Sequence, residues 1–261
     1  MSAHRLDGKV AFITGSGGGM GRAEATLMAE RGADIIVHDV KAEGANKTAE
    51  LVRAMGRKAH VIIADVTDIK TMTAEIAKAD KAMGKIDILV NNAGIGGDYR
   101  LLSQLEEADF DKMFNTHVKA SFFCAKAVVP GMKARKWGRI VNVLNSGAKW
   151  QRHGSAPTSI SRAAGMALTK VLSNEGAAHN VLVNAVLVGL IQTDQWVRGH
   201  AKENKGCTLE EYLAEMAQRI PLNRVGTAEE FANMILFLSS DAGSYVTGTA
   251  INVDGGMCPV V

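Results

Sequence analysis

The sequence predicts an α/β fold, a three-layer αβα sandwich around a seven-stranded parallel sheet. Three observations predict it. Short β-branched runs alternate with longer stretches of helical period, a glycine-rich loop joins the first run to the first helix, and an acidic residue closes the second run. Strands covered by helices on both faces read as unbroken apolar runs, and their alternation with helices implies right-handed crossovers.

In chain order, the runs at 10–14, 34–38, 59–64, 86–90, 139–144, 181–188 and 250–253 are expected as the seven strands. Between them, helices are expected near 20–31, 43–55, 69–83, 106–135, 155–178 and 227–239. The stretch 192–220 interrupts the rhythm with a polar, helical insertion carrying Trp196 and His200. It reads either as a lid over a substrate pocket or as a solvated excursion. The 261 residues are 47% hydrophobic with no linker-like change of composition, so residues 1–261 are expected to form a single domain.

The net charge of +3 comes from 30 basic and 27 acidic residues mixed along the chain. That mixture lacks the basic block of a nucleic-acid or membrane patch, which leaves small-molecule substrates as partners. Cys124, Cys207 and Cys258 are odd in number and far apart, without the close spacing of a metal or redox site. The apolar runs are too short for a signal core or a membrane span, so a cytoplasmic location is expected.

The loop Thr14-Gly15-Ser16-Gly17-Gly18-Gly19-Met20-Gly21 follows a strand and opens a helix. Glycines there let the backbone approach a pyrophosphate, which the helix N-terminus favours through its free N–H groups and dipole. Asp39, 18 positions beyond Gly21, ends the second strand beside Val40. A carboxylate there accepts hydrogen bonds from the adenosine ribose hydroxyls and repels a 2′-phosphate, so this Rossmann-type site is expected to bind NAD rather than NADP.

Further motifs fall at the strand ends. Asp65-Val66 closes the third strand, Asn91-Asn92-Ala93-Gly94 the fourth, and Gly189-Leu190-Ile191-Gln192-Thr193 follows the sixth. Arg224-Val225-Gly226, Ser239-Ser240-Asp241, Val246-Thr247-Gly248 and Asp254-Gly255-Gly256 complete the series. With these the chain resembles the short-chain dehydrogenase/reductase (SDR) family from about Leu6 to Gly256. The resemblance implies that Asp65 and Val66 contact adenine, that Asn92, Ala93 and Gly94 shape the cofactor cleft, and that Ile191 and Thr193 hold the nicotinamide carboxamide. Where the family usually has proline before Gly189, this chain has Val188.

The family's asparagine, serine, tyrosine and lysine tetrad is expected at His117, Asn145, Thr158 and Arg162, so all four residues differ. A one-residue shift at Asn145 would put Ser146 at the serine position, and the other three changes would survive it. The only tyrosines are Tyr99, Tyr212 and Tyr245, and none is expected to rescue the site. A threonine hydroxyl is too weak an acid and too short to replace the tyrosine. Arg162 can still bind a nicotinamide ribose, but it is a poor proton carrier. Histidine titrates near neutrality, so His117 or His153 could move the proton; equally, His117 could be a satisfied core group and His153 a surface residue. Lys149 reads as a solvated charge.

Three functions follow. The first is an NAD-dependent oxidoreductase acting on an alcohol or carbonyl, with Asn145 and Thr158 orienting the oxygen and a histidine moving the proton. The others are a non-redox enzyme with bound NAD, and a catalytically silent NAD-binding subunit of a hetero-oligomer with an active homologue. The resemblance further implies a homotetramer, with helices 106–135 and 155–178 pairing across one dimer interface and the last helix and strand making a second.

Overall fold

In the computed structural model, which describes residues 3–96, 99–193, 200–201 and 206–261, strand β1 (Val10–Ile13) lies inside the sheet, third from one edge. β2 (Asp34–Asp39) and β3 (Ala59–Ile63) extend it on one side. β4 (Ile88–Asn91), β5 (Gly138–Asn145), β6 (Val181–Val188) and β7 (Ala250–Val253) extend it on the other. The order is β3-β2-β1-β4-β5-β6-β7 and every pairing is parallel. The order reverses between β1 and β4, where the crevice of a doubly wound sheet opens at the carboxyl ends of the strands.

Alternation along the strands divides the core in two. Ala11, Ile13, Ile35, Val37, Val90 and Val141 point to one face, where α1 (Gly19–Glu30), α2 (Ala42–Ala54) and α8 (Ala228–Ser239) cover them. Val10, Phe12, Ile36, Leu89 and Ile140 point to the other, beneath α3 (Ile69–Met83) and α5 (Ala120–Ala134). Each of these side chains larger than alanine stabilises the fold by roughly 1.5–3 kcal/mol on burial.

The helix expected over 106–135 is broken. α4 (Glu107–Phe114) passes into a π-helical turn at Asn115–Lys119 before α5 begins. One extra residue per turn shifts the register and leaves Thr116 and His117 buried. The other expected helices and strands stand within two residues of their expected ends.

α6 (Ala156–Gly176) reaches the site from the second face. A buried chain sets its register: Asn91 Nδ2 donates to Asn142 Oδ1 at 2.8 Å, and Asn142 Nδ2 to Thr169 Oγ1 at 2.9 Å. In the insertion, Thr208 caps α7 (Leu209–Ala217) through a hydrogen bond from the Glu211 N–H. His200 Nε2 pairs with the Cys207 carbonyl at 2.7 Å. Trp196 lies outside the described residues, and with it part of the stretch read as a lid. No helix among the described residues is long and apolar enough to cross a membrane.

Candidate active site

The glycine loop is held from below. His38, buried on β2, accepts the Gly15 N–H at Nδ1 (3.2 Å) and its Nε2 donates to the Ala64 carbonyl at 3.1 Å. Burial lowers its pKa and favours the neutral ring that this pattern needs. Asp39 Oδ2 accepts the Gly17 N–H at 3.0 Å, and Oδ1 accepts the Lys41 N–H at 2.9 Å. A Cβ on Gly17 would fall 2.7 Å from Asp39 Oδ2, and one on Gly21 would fall 2.6 Å from Asn92 Nδ2. Only glycine lets the loop lie this close to both strand ends. Arg22, which the sequence reading passed over, clamps the loop by donating to the Gly17 carbonyl and, at 3.0 Å, to Thr48 Oγ1.

Above the loop opens a cleft of about 930 Å³. Gly15, residues 17–21, Asp39, Val40, Asp65, Val66, Asn92, Ala93, Gly94 and Thr193 all line it, as the expected cofactor set requires. Ser16 is buried beneath the cleft, donating to the Ile13 carbonyl at 2.9 Å. Ile191 is buried and bridged to Gly226, and Gly189 borders a second, smaller cavity. The α1 N-terminus has glycine at its cap, no side-chain cap and no acidic residue in its first turn. Its positive end is therefore available to a pyrophosphate. These residues fit a dinucleotide.

The smaller cavity, about 230 Å³, adjoins the cleft through Ile95 and holds Asn145 and Thr158 in its wall. Asn145 Oδ1 is buried without a hydrogen-bond partner, and the Thr158 hydroxyl has a weak contact to Met113 Sδ at 3.9 Å. Behind this wall, Arg162 Nη1 donates to the Val143 carbonyl at 2.7 Å, while Nε has no partner. A Cβ on Gly94 would lie 2.8 Å from Arg162 Nη2, so the guanidinium sits directly under the larger cleft. Burial pushes its pKa down to about 10, which leaves it charged at neutral pH.

His117 lines neither cavity. Its Nδ1 pairs with Ser161 Oγ at 2.9 Å, and its Nε2 faces the Ile95 carbonyl at 3.2 Å and the Ile95 N–H at 3.3 Å. Burial, reinforced by the Arg162 charge, brings its pKa down to about 3. The imidazole is therefore neutral at physiological pH and braces Ile95, the residue shared by both cavities. His153 is exposed in the turn before α6 and borders neither cavity. Tyr99 does line the smaller cavity, together with Trp150, Arg152, Ser155 and Ser159. The Arg100 N–H bonds the Gly154 carbonyl at 2.9 Å, which brings Tyr99 to this wall although its place in the sequence, far from Thr158, gave no sign of it. Lys149 is not simply solvated, because its Nζ donates to the Ala250 carbonyl at 2.8 Å.

A family model described as enoyl-(acyl carrier protein) reductase matches residues 15–258. The chain belongs to the short-chain dehydrogenase/reductase family. It is thus an enzyme of the oxidoreductase class. A 3-oxoacyl-[acyl-carrier-protein] reductase of Thermotoga maritima is 37% identical over 254 residues, covering 97% of this chain and 99% of the relative. A (2S)-[(R)-hydroxy(phenyl)methyl]succinyl-CoA dehydrogenase subunit of Thauera aromatica is 35% identical, covering 96% of this chain and 97% of the relative. Among solved structures, carveol dehydrogenase from Mycobacterium avium in complex with NAD superposes with a TM-score of 0.90 at 28% identity, covering 97% of this chain and 98% of that one.

Proposed function

We propose that this SDR enzyme is NAD-dependent and interconverts an alcohol and a carbonyl in a small molecule, working as a single domain with a proton relay unlike the family's. The observation that carries the reading is Asp39. Its carboxylate lines the cleft at the end of β2 and keeps acceptor capacity beyond its two backbone bonds. Adenosine ribose hydroxyls can use that capacity, and a 2′-phosphate would meet like charge. The NAD held by the carveol dehydrogenase relative supports the same choice.

In this reading the α1 N-terminus would hold the pyrophosphate, Asp65 and Val66 would border the adenine, and Ile191 and Thr193 would hold the carboxamide. A nicotinamide held there would supply the hydride acceptor or donor, and the residues around the smaller cavity would have to move one proton from or to the substrate oxygen. Asn145 and Thr158 orient that oxygen. Arg162 holds the ribose and favours negative charge above Gly94. His117, kept neutral, positions Ile95 and Ser161 rather than exchanging the proton. The proton then falls to the titratable groups at this end of the site, Tyr99 in the cavity wall and His153 in the neighbouring turn. A homotetramer and a cytoplasmic location belong to the same reading, by analogy with the family.

The test is NAD titration by calorimetry, with absorbance at 340 nm over a panel of alcohols and ketones. Binding that Asp39→Ala weakens, together with NADH formation, supports the reading. Equal affinity for NADP, or no reduction with any pair, counts against it. In a second reading the chain binds cofactor as one subunit of a hetero-oligomer with an active homologue. The replaced tetrad and the subunit relative from Thauera aromatica favour it, and co-purification with a homologous chain would test it.

A further inference from the structure

Arg152 is the one charged side chain among the described residues that line the smaller cavity, and no carboxylate lies beside it there. Its guanidinium stacks on Trp150, 4.2 Å from the ring centroid, and among the described residues its one side-chain hydrogen-bonding contact is Met257 Sδ at 3.9 Å. Among the described residues it forms no ion pair. An arginine without an acid in a part-enclosed cavity has donors to spare, and its planar fork matches a carboxylate.

The backbone beneath this arginine is fixed. Ser155 Oγ accepts the Arg152 N–H at 3.1 Å and donates to the Arg152 carbonyl at 2.6 Å. Ser159 Oγ lies 2.7 Å from Ser155 Oγ and, with that proton already committed, is the donor of the pair. Ser155 at the N-cap of α6 and Ser159 on its first turn thus anchor the loop, and Trp150 restricts the side chain above it.

We propose that Arg152 selects the substrate: the smaller cavity takes a small hydroxy or oxo acid whose carboxylate pairs with Arg152 while its reacting oxygen lies at Asn145 and Thr158. The proposal rests on the redox reading above for its reacting oxygen, and on the cavity alone for its anion. At about 230 Å³ the space is below the roughly 300–1,000 Å³ of drug-sized sites, which suits an acid of a few carbons. Ser155 is then a positioning residue that acts through Arg152.

The experiment compares acids with neutral partners of the same shape. Hydroxy acids of four to six carbons, 3-hydroxybutyrate among them, and their primary amides are titrated by calorimetry into NAD-saturated wild type, Arg152→Gln, Arg152→Lys and Ser155→Ala. Turnover of each pair is followed at 340 nm. At least one acid should bind about 10- to 100-fold tighter than its amide, the worth of one charge-assisted hydrogen bond. Arg152→Gln should erase the difference, Arg152→Lys should keep part of it, and Ser155→Ala should raise KM for the acid more than for the amide. Acids that bind no tighter than their amides, or a preference that survives Arg152→Gln, would overturn the proposal. A preference that Arg152→Gln erases, without reduction of NAD by any pair, would uphold the anion site and overturn the redox reading instead.

Discussion

His117 Nδ1 stands 2.9 Å from Ser161 Oγ, tying the π-helical turn to α6 at the residue next to Arg162. The pair is buried on both sides. Its imidazole therefore behaves as a neutral strut, and acid should act on the fold before it acts on chemistry.

The pH dependence of stability tests that role. In the fold the His117 pKa is about 3, well below the usual 6.5. Between those values the unfolded chain binds more protons, so stability falls as pH drops below 6.5 and is unaffected by this group above it. Urea denaturation between pH 7.5 and pH 4.5 should show a His117 contribution of about 2–3 kcal/mol lost from the wild type and absent from His117→Gln. Parallel losses in both proteins would assign the acid sensitivity elsewhere.

Asp39 joins cofactor choice to loop geometry. Removing its carboxylate frees the Gly17 and Lys41 N–H groups and takes away the proposed acceptor for the ribose. Asp39→Ala should weaken NAD about 10- to 100-fold and narrow the gap to NADP, as expected when bonds to one charged group are lost. Calorimetry with both dinucleotides checks it; an unchanged NAD affinity would place the ribose elsewhere.

Glu24 lies on α1, fully buried, and neither carboxyl oxygen has a hydrogen-bond partner. Burial raises its pKa to about 8. Here the folded chain binds the extra proton, so stability is lost as pH rises from the ordinary carboxylate range toward 8. Glu24→Gln keeps the shape without the ionisation. It should stabilise the protein by about 1–3 kcal/mol at pH 7.5 and flatten the decline of Tm between pH 5 and pH 8. An equal decline in both proteins would mean that the carboxyl has a partner in solution.

The sheet was legible because buried parallel strands write themselves as apolar runs, and the cofactor loop because close approach to Asp39 and Asn92 demands glycine. Where the helix expected over 106–135 gives way to a π turn, no residue type marks the break; the insertion follows from His117 packing on Ile95 and α6. Local sequence also carries no sign that both imidazole nitrogens are occupied. Tyr99 and Arg152 were missed for a related reason. Both belong to loops, and only the Arg100 to Gly154 bond and the Ser155 clamp bring them to one cavity.

Substitution at Thr158 and Arg162 tests whether proton transfer limits turnover. Thr158 and Arg162 lie four positions apart on one face of α6, the first in the wall of the small cavity and the second under Gly94. Thr158→Tyr with Arg162→Lys would place a tyrosine four residues before a lysine, put a phenol in that wall, and exchange a planar cation for an ammonium able to lower the phenol's pKa. A positioned general acid contributes about 10²- to 10⁴-fold. Against a substrate that the wild type reduces or oxidises slowly, kcat at pH 7 to 8 should therefore rise by about 100-fold or more, with a pH profile that acquires a new ionisation. The single Thr158→Tyr should gain less, because Arg162 stays held by the Val143 carbonyl at 2.7 Å rather than reaching the phenol. If the double variant binds NAD normally yet turns over no faster, proton transfer is not what limits this enzyme, and its own residues already supply the relay.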